Sequence, residues 1–182
     1  MKSKILSPRF LFITIAIVLA ALSRVLPHPF NFTPIGAMAL FGGACLSDKR
    51  IAFLVPLMAM LISDCILGFH NTLLYVYVSF IIITFIGMYI RNNAKTGTII
   101  LASLVSSLLF FLITNFGVWA SDPTSLGMTG LINTYLVAIP FYSHDIFGSF
   151  FLNTIMGDLF FNGLLFGSLY FAQAKFPALA KA

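Results

Sequence analysis

Glutamate is absent from all 182 residues, and charged residues of every kind make up only 8% of the chain. The acids are Asp48, Asp64, Asp122, Asp145 and Asp158, which makes the paired acid and base of a hydrolytic membrane enzyme hard to assemble. Cysteine is scarce too. Cys45 and Cys65 lie in apolar surroundings with no CxxC spacing, and read as small buried hydrophobes. His28, His70 and His144 fall in three separate loops without the HxxxH spacing of a metal site, even with Asp64 nearby. Asp64 and Cys65 are adjacent and point in different directions on a helix, so they do not form a base–nucleophile pair. No metal, cofactor or catalytic constellation is expected, and the chain does not read as an enzyme.

What the sequence has instead is apolar bulk, with 60% hydrophobic residues and a mean hydropathy of +1.03. Soluble domains carry about 25% charged residues, so the reading is an all-α polytopic membrane protein, one helical bundle over residues 1–182. The net charge of +5 reflects orientation in a membrane rather than nucleic-acid binding.

Six transmembrane helices are expected, over about 10–26, 34–46, 51–68, 73–90, 98–119 and 147–172. Lys2, Lys4 and Arg9 precede the first, which resembles a signal peptide but reads as an uncleaved span. It carries the small-xxx-small pair Ala16 and Ala20. Thr33 and Pro34 suit the cap and first position of the second helix. Gly36, Ala37, Ala39, Gly42, Gly43 and Ala44 predict that this short helix packs inside the bundle. Leu131 to Phe141 is apolar but too short to span, and reads as a re-entrant or interfacial helix between the fifth and sixth.

Basic residues fix the expected orientation. With the N-terminus inside, Lys2, Lys4, Arg9, Lys49, Arg50, Arg91, Lys95, Lys175 and Lys181 all fall on the cytoplasmic side, and only Arg24 on the outer side. The expected location is the inner (plasma) membrane, with both termini cytoplasmic.

That orientation gathers the out-of-place polar residues at one level. Asn153, Thr154, Asp158 and Asn162 recur on or near one side of the sixth helix. An Asp in such a segment costs roughly 2.5–3.5 kcal/mol on insertion scales, so it must face protein or a water-filled space. Asp64, Thr114 and Asn115 lie in the outer parts of their helices, and Asn31, His70, Asn133, Tyr135, His144 and Asp145 in outer loops or helix ends. The convergence predicts an outward-opening pocket with Asp158 at its floor, Asn153 near its mouth and Gly163-xxx-Gly167 packing below. Arg24 and His70 are the nearest pairing candidates for the acids. Two acids without a deep base favour a cationic or hydrogen-bond-donating ligand. The competing reading is a structural or scaffold membrane protein in which Asp64 and Asp158 are consumed by hydrogen bonds between helices and no cavity exists.

Six helices, the Ala16–Ala20 pair, cytoplasmic termini and an outward pocket resemble the substrate-binding S component of energy-coupling-factor transporters. The segments Asn31–Ala37, Ile62–His70, Leu112–Trp119 and Asn153–Asp158 resemble an uncharacterised bacterial membrane family allied to those S components. The resemblance implies capture of a vitamin-like small molecule from outside. It also implies docking, through Ala16 and Ala20, on a transmembrane coupling protein driven by ATPase subunits, with Asn115, Asn153 and Asp158 in the ligand pocket. In a solitary S-like cobalamin transporter a cysteine contacts the cobalt. Cys65 would be its counterpart, although the sequence around it departs from that pattern.

Overall fold

Seven α-helices and a short 3-10 turn account for the regular structure in the computed structural model, which describes residues 7–122, 124, 127–139 and 149–180. They are α1 (Pro8–Ser23), α2 (Ile35–Cys45), α3 (Lys49–Leu67), α4 (Leu73–Ile90), α5 (Thr96–Ser121), α6 (Met128–Ala138) and α7 (Phe150–Lys175), followed by the turn Pro177–Leu179. Three N-termini are closed by the side chain that precedes them. Ser7 Oγ accepts from the Phe10 amide, Asp48 Oδ1 from Arg50 and Ile51, and Ser149 Oγ from Leu152. Each such cap contributes about 1 kcal/mol.

The helix α2 is the axis of the bundle. All of its residues are buried, and α1, α3, α4, α5 and α7 surround it. Its glycines make this possible, each facing a different neighbour. A Cβ on Gly43 would come within 2.3 Å of the Thr84 carbonyl in α4, and one on Gly87 within 2.3 Å of the Leu40 carbonyl, so α2 and α4 meet backbone to backbone. Gly42 faces Pro56 of α3, and Gly36 faces α7. The expectation that the glycine- and alanine-rich helix packs inside the bundle matches this arrangement.

Four helices, α3, α4, α5 and α7, are long and apolar enough to cross a membrane. The expectation was six. The first helix stops at Ser23 rather than Leu26, because the Arg24, Val25 and Leu26 amides turn back to carbonyls three residues earlier. At 1.5 Å per residue its 16 residues measure about 24 Å, short of the roughly 30 Å hydrocarbon core. α2 is shorter still and is enclosed by protein. It begins at Ile35 with Pro34 in the cap position and no side-chain cap from its own flank. Thr33, expected to cap it, instead turns its amide onto the Asn31 carbonyl. Asn31 is left-handed (φ 61°), which sets up that tight turn.

Other expectations move as well. The short apolar helix lies at Met128–Ala138, three residues earlier than expected, and packs on α5, which it meets through Tyr135 against Phe111. Gly163 and Gly167, expected to pack, face open space, since a Cβ on either meets nothing within 4 Å. Ala20 is buried and Ala16 packs against the core, so the small-xxx-small pair of α1 faces its own bundle rather than a free surface. The outward surface carries large apolar side chains such as Leu19, Leu54, Phe85, Leu101 and Phe171.

Candidate functional site

The first turn of an α-helix leaves amides without intrahelical acceptors, and in α2 a carboxylate from α7 faces that turn. The Asp158 carboxylate lies against the first turn of α2, beside Gly36 and Ala37, and accepts at 2.7 Å from the Ser107 hydroxyl of α5. One side chain therefore ties α5 to α7 and sets its carboxyl end at the positive pole of the α2 dipole. Gly36 admits it, because a Cβ there would lie 2.5 Å from Asp158 Oδ1. Two other polar residues of α7 also reach neighbouring segments. Asn153 donates to the Phe30 carbonyl at 2.8 Å, and Asn162 donates to Ser103 Oγ at 3.0 Å. Asp158→Ala is expected to cost about 1–3 kcal/mol by removing the buried carboxylate from the first turn of α2 and its bond to Ser107, which keeps the Ser103 carbonyl as a second acceptor, with Asp158→Asn milder. Thermal unfolding in detergent measures this, and an unchanged midpoint would refute the assignment.

A second buried cluster joins α1, α3 and α4. Arg24, the C-terminal cap of α1, places Nη1 2.7 Å from Asp64 Oδ1 and also donates to Ser63. The Tyr77 hydroxyl donates to Asp64 Oδ2 at 2.9 Å. Arg24 and Asp64 are only 8% and 2% exposed. Of the two pairing candidates for the acids, Arg24 is the one that makes the contact. His70 instead bonds Thr72 Oγ1 at 2.9 Å.

Beside this cluster, the ends of the helices leave a cavity of about 950 Å³. The α1–α2 connection contributes Asn31 and Thr33, and the α3–α4 connection contributes His70. Thr114 and Asn115 face it from α5, and Asn133 from α6. Phe30, Phe110 and Phe150 supply apolar wall, and Arg24 lines it as the one Lys or Arg to do so among the described residues. The Thr114 hydroxyl donates to the Phe110 carbonyl and Asn115 Nδ2 to the Phe111 carbonyl, at 2.7 and 2.8 Å. Both side-chain oxygens thus remain acceptors in the cavity wall. At the opposite end of the bundle a smaller cavity of about 230 Å³ lies among Arg9, Cys45 and Asp48.

The family of unknown function DUF6580 matches residues 4–179. The chain belongs to the DUF6580 family. No curated protein and no solved structure matches it.

In this DUF6580 chain the expected site residues divide in two. Asn31, His70, Thr114 and Asn115 come together on the cavity. Asp158, Asn153, Asp64 and Tyr135 are not in its lining. Asp158 is bonded to Ser107 of α5 and Asn153 to the chain leading into α2, Asp64 is held by Arg24 and Tyr77, and the Tyr135 hydroxyl donates to the Leu112 carbonyl. Cys65 is exposed on α3, away from the cavity lining. His144 and Asp145 lie outside the described residues. Arg24, which the sequence offered only as a pairing partner for the acids, also lines the cavity. Its signal is the isolation of one basic residue at the end of an apolar helix.

Proposed function

We propose that this DUF6580 protein spans the inner membrane and binds a small molecule in the cavity at the ends of α1, α3 and α5. It would act as the capture subunit of an uptake system energised by a separate membrane coupling protein and ATPases. The observation that carries the reading is the cavity itself. Its volume of about 950 Å³ lies within the range of roughly 300–1,000 Å³ typical of small-molecule sites, and its mixture of apolar wall and a few polar groups is the usual lining. Charge supports an outward-facing mouth. Among the described residues, Arg9, Lys49, Arg50, Arg91, Lys95 and Lys175 lie at the helix ends opposite the cavity, and Arg24 alone lies beside it. The positive-inside rule then puts both termini in the cytoplasm and the cavity outside. α1 and α2 would complete six crossings within the protein-enclosed part of the bundle, with α6 lying over the outer side of α5. The resemblance to S components supplies the coupling to ATP. Because Ala16 and Ala20 face their own bundle, the docking surface for a partner lies elsewhere.

The scaffold reading draws support from the buried bonds of Asp64 and Asp158, but it also requires that no cavity exist. Native mass spectrometry of the gently purified full chain separates the two. A co-purifying small molecule is expected on the wild type and is expected to be lost in Thr114→Trp, whose indole projects into the cavity from its α5 wall. A wild type without an adduct, or an adduct indifferent to Thr114→Trp, would overturn the proposal.

A further inference from the structure

We infer that the cavity takes a carboxylate with a flat apolar body, and that Arg24 receives the carboxylate. This rests on the cavity being a ligand site, and it reverses the cationic preference expected from two unpaired acids. Neither acid offers negative charge to the cavity. Asp158 is sealed at the α2 N-terminus, and Asp64 is held between Arg24 and Tyr77.

Arg24 is differently placed. It is more than nine-tenths buried, lines the cavity, and makes its contacts with Ser63 and Asp64 through Nη1. Its Nε is buried with no partner among the described residues. A guanidinium presents donors in a planar fork whose edges each match the two oxygens of a carboxylate. One edge is turned to Asp64, and the edge that includes Nε has no acceptor among the described residues. A buried charged donor without a partner is unfavourable, and an incoming carboxylate would relieve it. A single guanidinium whose charge is already balanced by Asp64 can offer its remaining edge as hydrogen-bond donors to a monoanion but cannot compensate a phosphate dianion. Asp122, which also borders the cavity and accepts from Thr124, weighs further against a dianion. Phe30, Phe110 and Phe150 would receive the apolar body.

The test uses the full chain in detergent with two matched probe pairs, benzoate with benzamide and nicotinate with nicotinamide, and reads the shift in unfolding midpoint with probe concentration. The acids should stabilise the wild type and the amides should not. Arg24→Lys keeps a cation for Asp64 but loses the second edge of the fork, and should weaken the acid response about tenfold or more. If that variant folds poorly, Arg24→Gln/Asp64→Asn keeps a neutral hydrogen-bonded pair and should likewise lose the acid response. Thr114→Trp should abolish it. Amides as effective as acids, acids without effect on the wild type, or an undiminished acid response in Arg24→Lys would overturn the inference. The cavity reading would stand in those cases if the co-purified adduct were still lost in Thr114→Trp, and would fall with the inference if it were not.

Discussion

Gly43→Ala leaves little folded protein. The added Cβ would meet the Thr84 carbonyl at 2.3 Å, the Met88 amide nitrogen at 2.9 Å and the Gly87 Cα at 3.0 Å. All three are backbone atoms of α4, so no side-chain rotation can make room, and α2 must move away from α4. α2 is buried on every side, so displacing it also disturbs its contacts with α3, α5 and α7. Overpacking a core usually costs 1–3 kcal/mol, and a collision between two backbones at the centre of a bundle should exceed about 3 kcal/mol. The measurement is the fraction of monodisperse protein after detergent extraction, together with its unfolding midpoint. Gly163→Ala is the control. Nothing lies within 4 Å of its Cβ, and replacing a helical glycine by alanine should be neutral or stabilising by up to about 1 kcal/mol. Equal behaviour of the two variants would refute the central position of α2.

Arg24→Ala is expected to destabilise by about 3–5 kcal/mol, since it leaves the Asp64 carboxylate buried without its cation. Tyr77 still donates to Asp64, but a hydroxyl does not replace a charge. The companion result is more informative than the loss. Arg24→Met/Asp64→Leu should recover most of the stability, because replacing both members of a buried pair by apolar groups is often neutral or better. A double variant no more stable than Arg24→Ala would mean that Arg24 is held by something other than Asp64. The same double variant removes the proposed carboxylate acceptor, so recovered stability with lost acid binding would separate the two roles of Arg24.

The helices were largely legible from apolar runs and breakers. α4 occupies Leu73–Ile90, the expected range, because charged or polar turns bound it on both sides. The burial of α2 was legible as well, since a short helix with Gly36, Gly42 and Gly43 offers lipid little and close neighbours a great deal. Partner choice was not legible. Asp158 meets Ser107 and Ala37, residues 51 and 121 positions away in the chain, and no local pattern specifies such a contact. Helical periodicity placed Asn153, Asp158 and Asn162 on or near one side of a helix, and all three are buried. Periodicity cannot say whether that side meets a cavity or another helix. Local rules point to the adjoining Thr33 as the cap of α2, whereas the carboxylate that lies against this end comes from α7. The loop and helix-end residues Asn31, His70, Thr114 and Asn115 fared better. They belong to the one end of the bundle that alternating helix direction gathers together, and that geometry follows from counting helices.

The most direct test of the central claim, an outward-facing cavity on a bundle whose basic end is cytoplasmic, is thiol labelling in intact cells. The background is Cys65→Ser, which removes the exposed cysteine and leaves the buried Cys45. On it, Asn115→Cys reports from the cavity wall, and Ser47→Cys reports from the exposed turn between α2 and α3 at the opposite end. Asn115→Cys should react with a membrane-impermeant maleimide without permeabilisation, and Ser47→Cys only after it. The reverse pattern, or an Asn115→Cys that stays unreactive on both sides, would contradict the account.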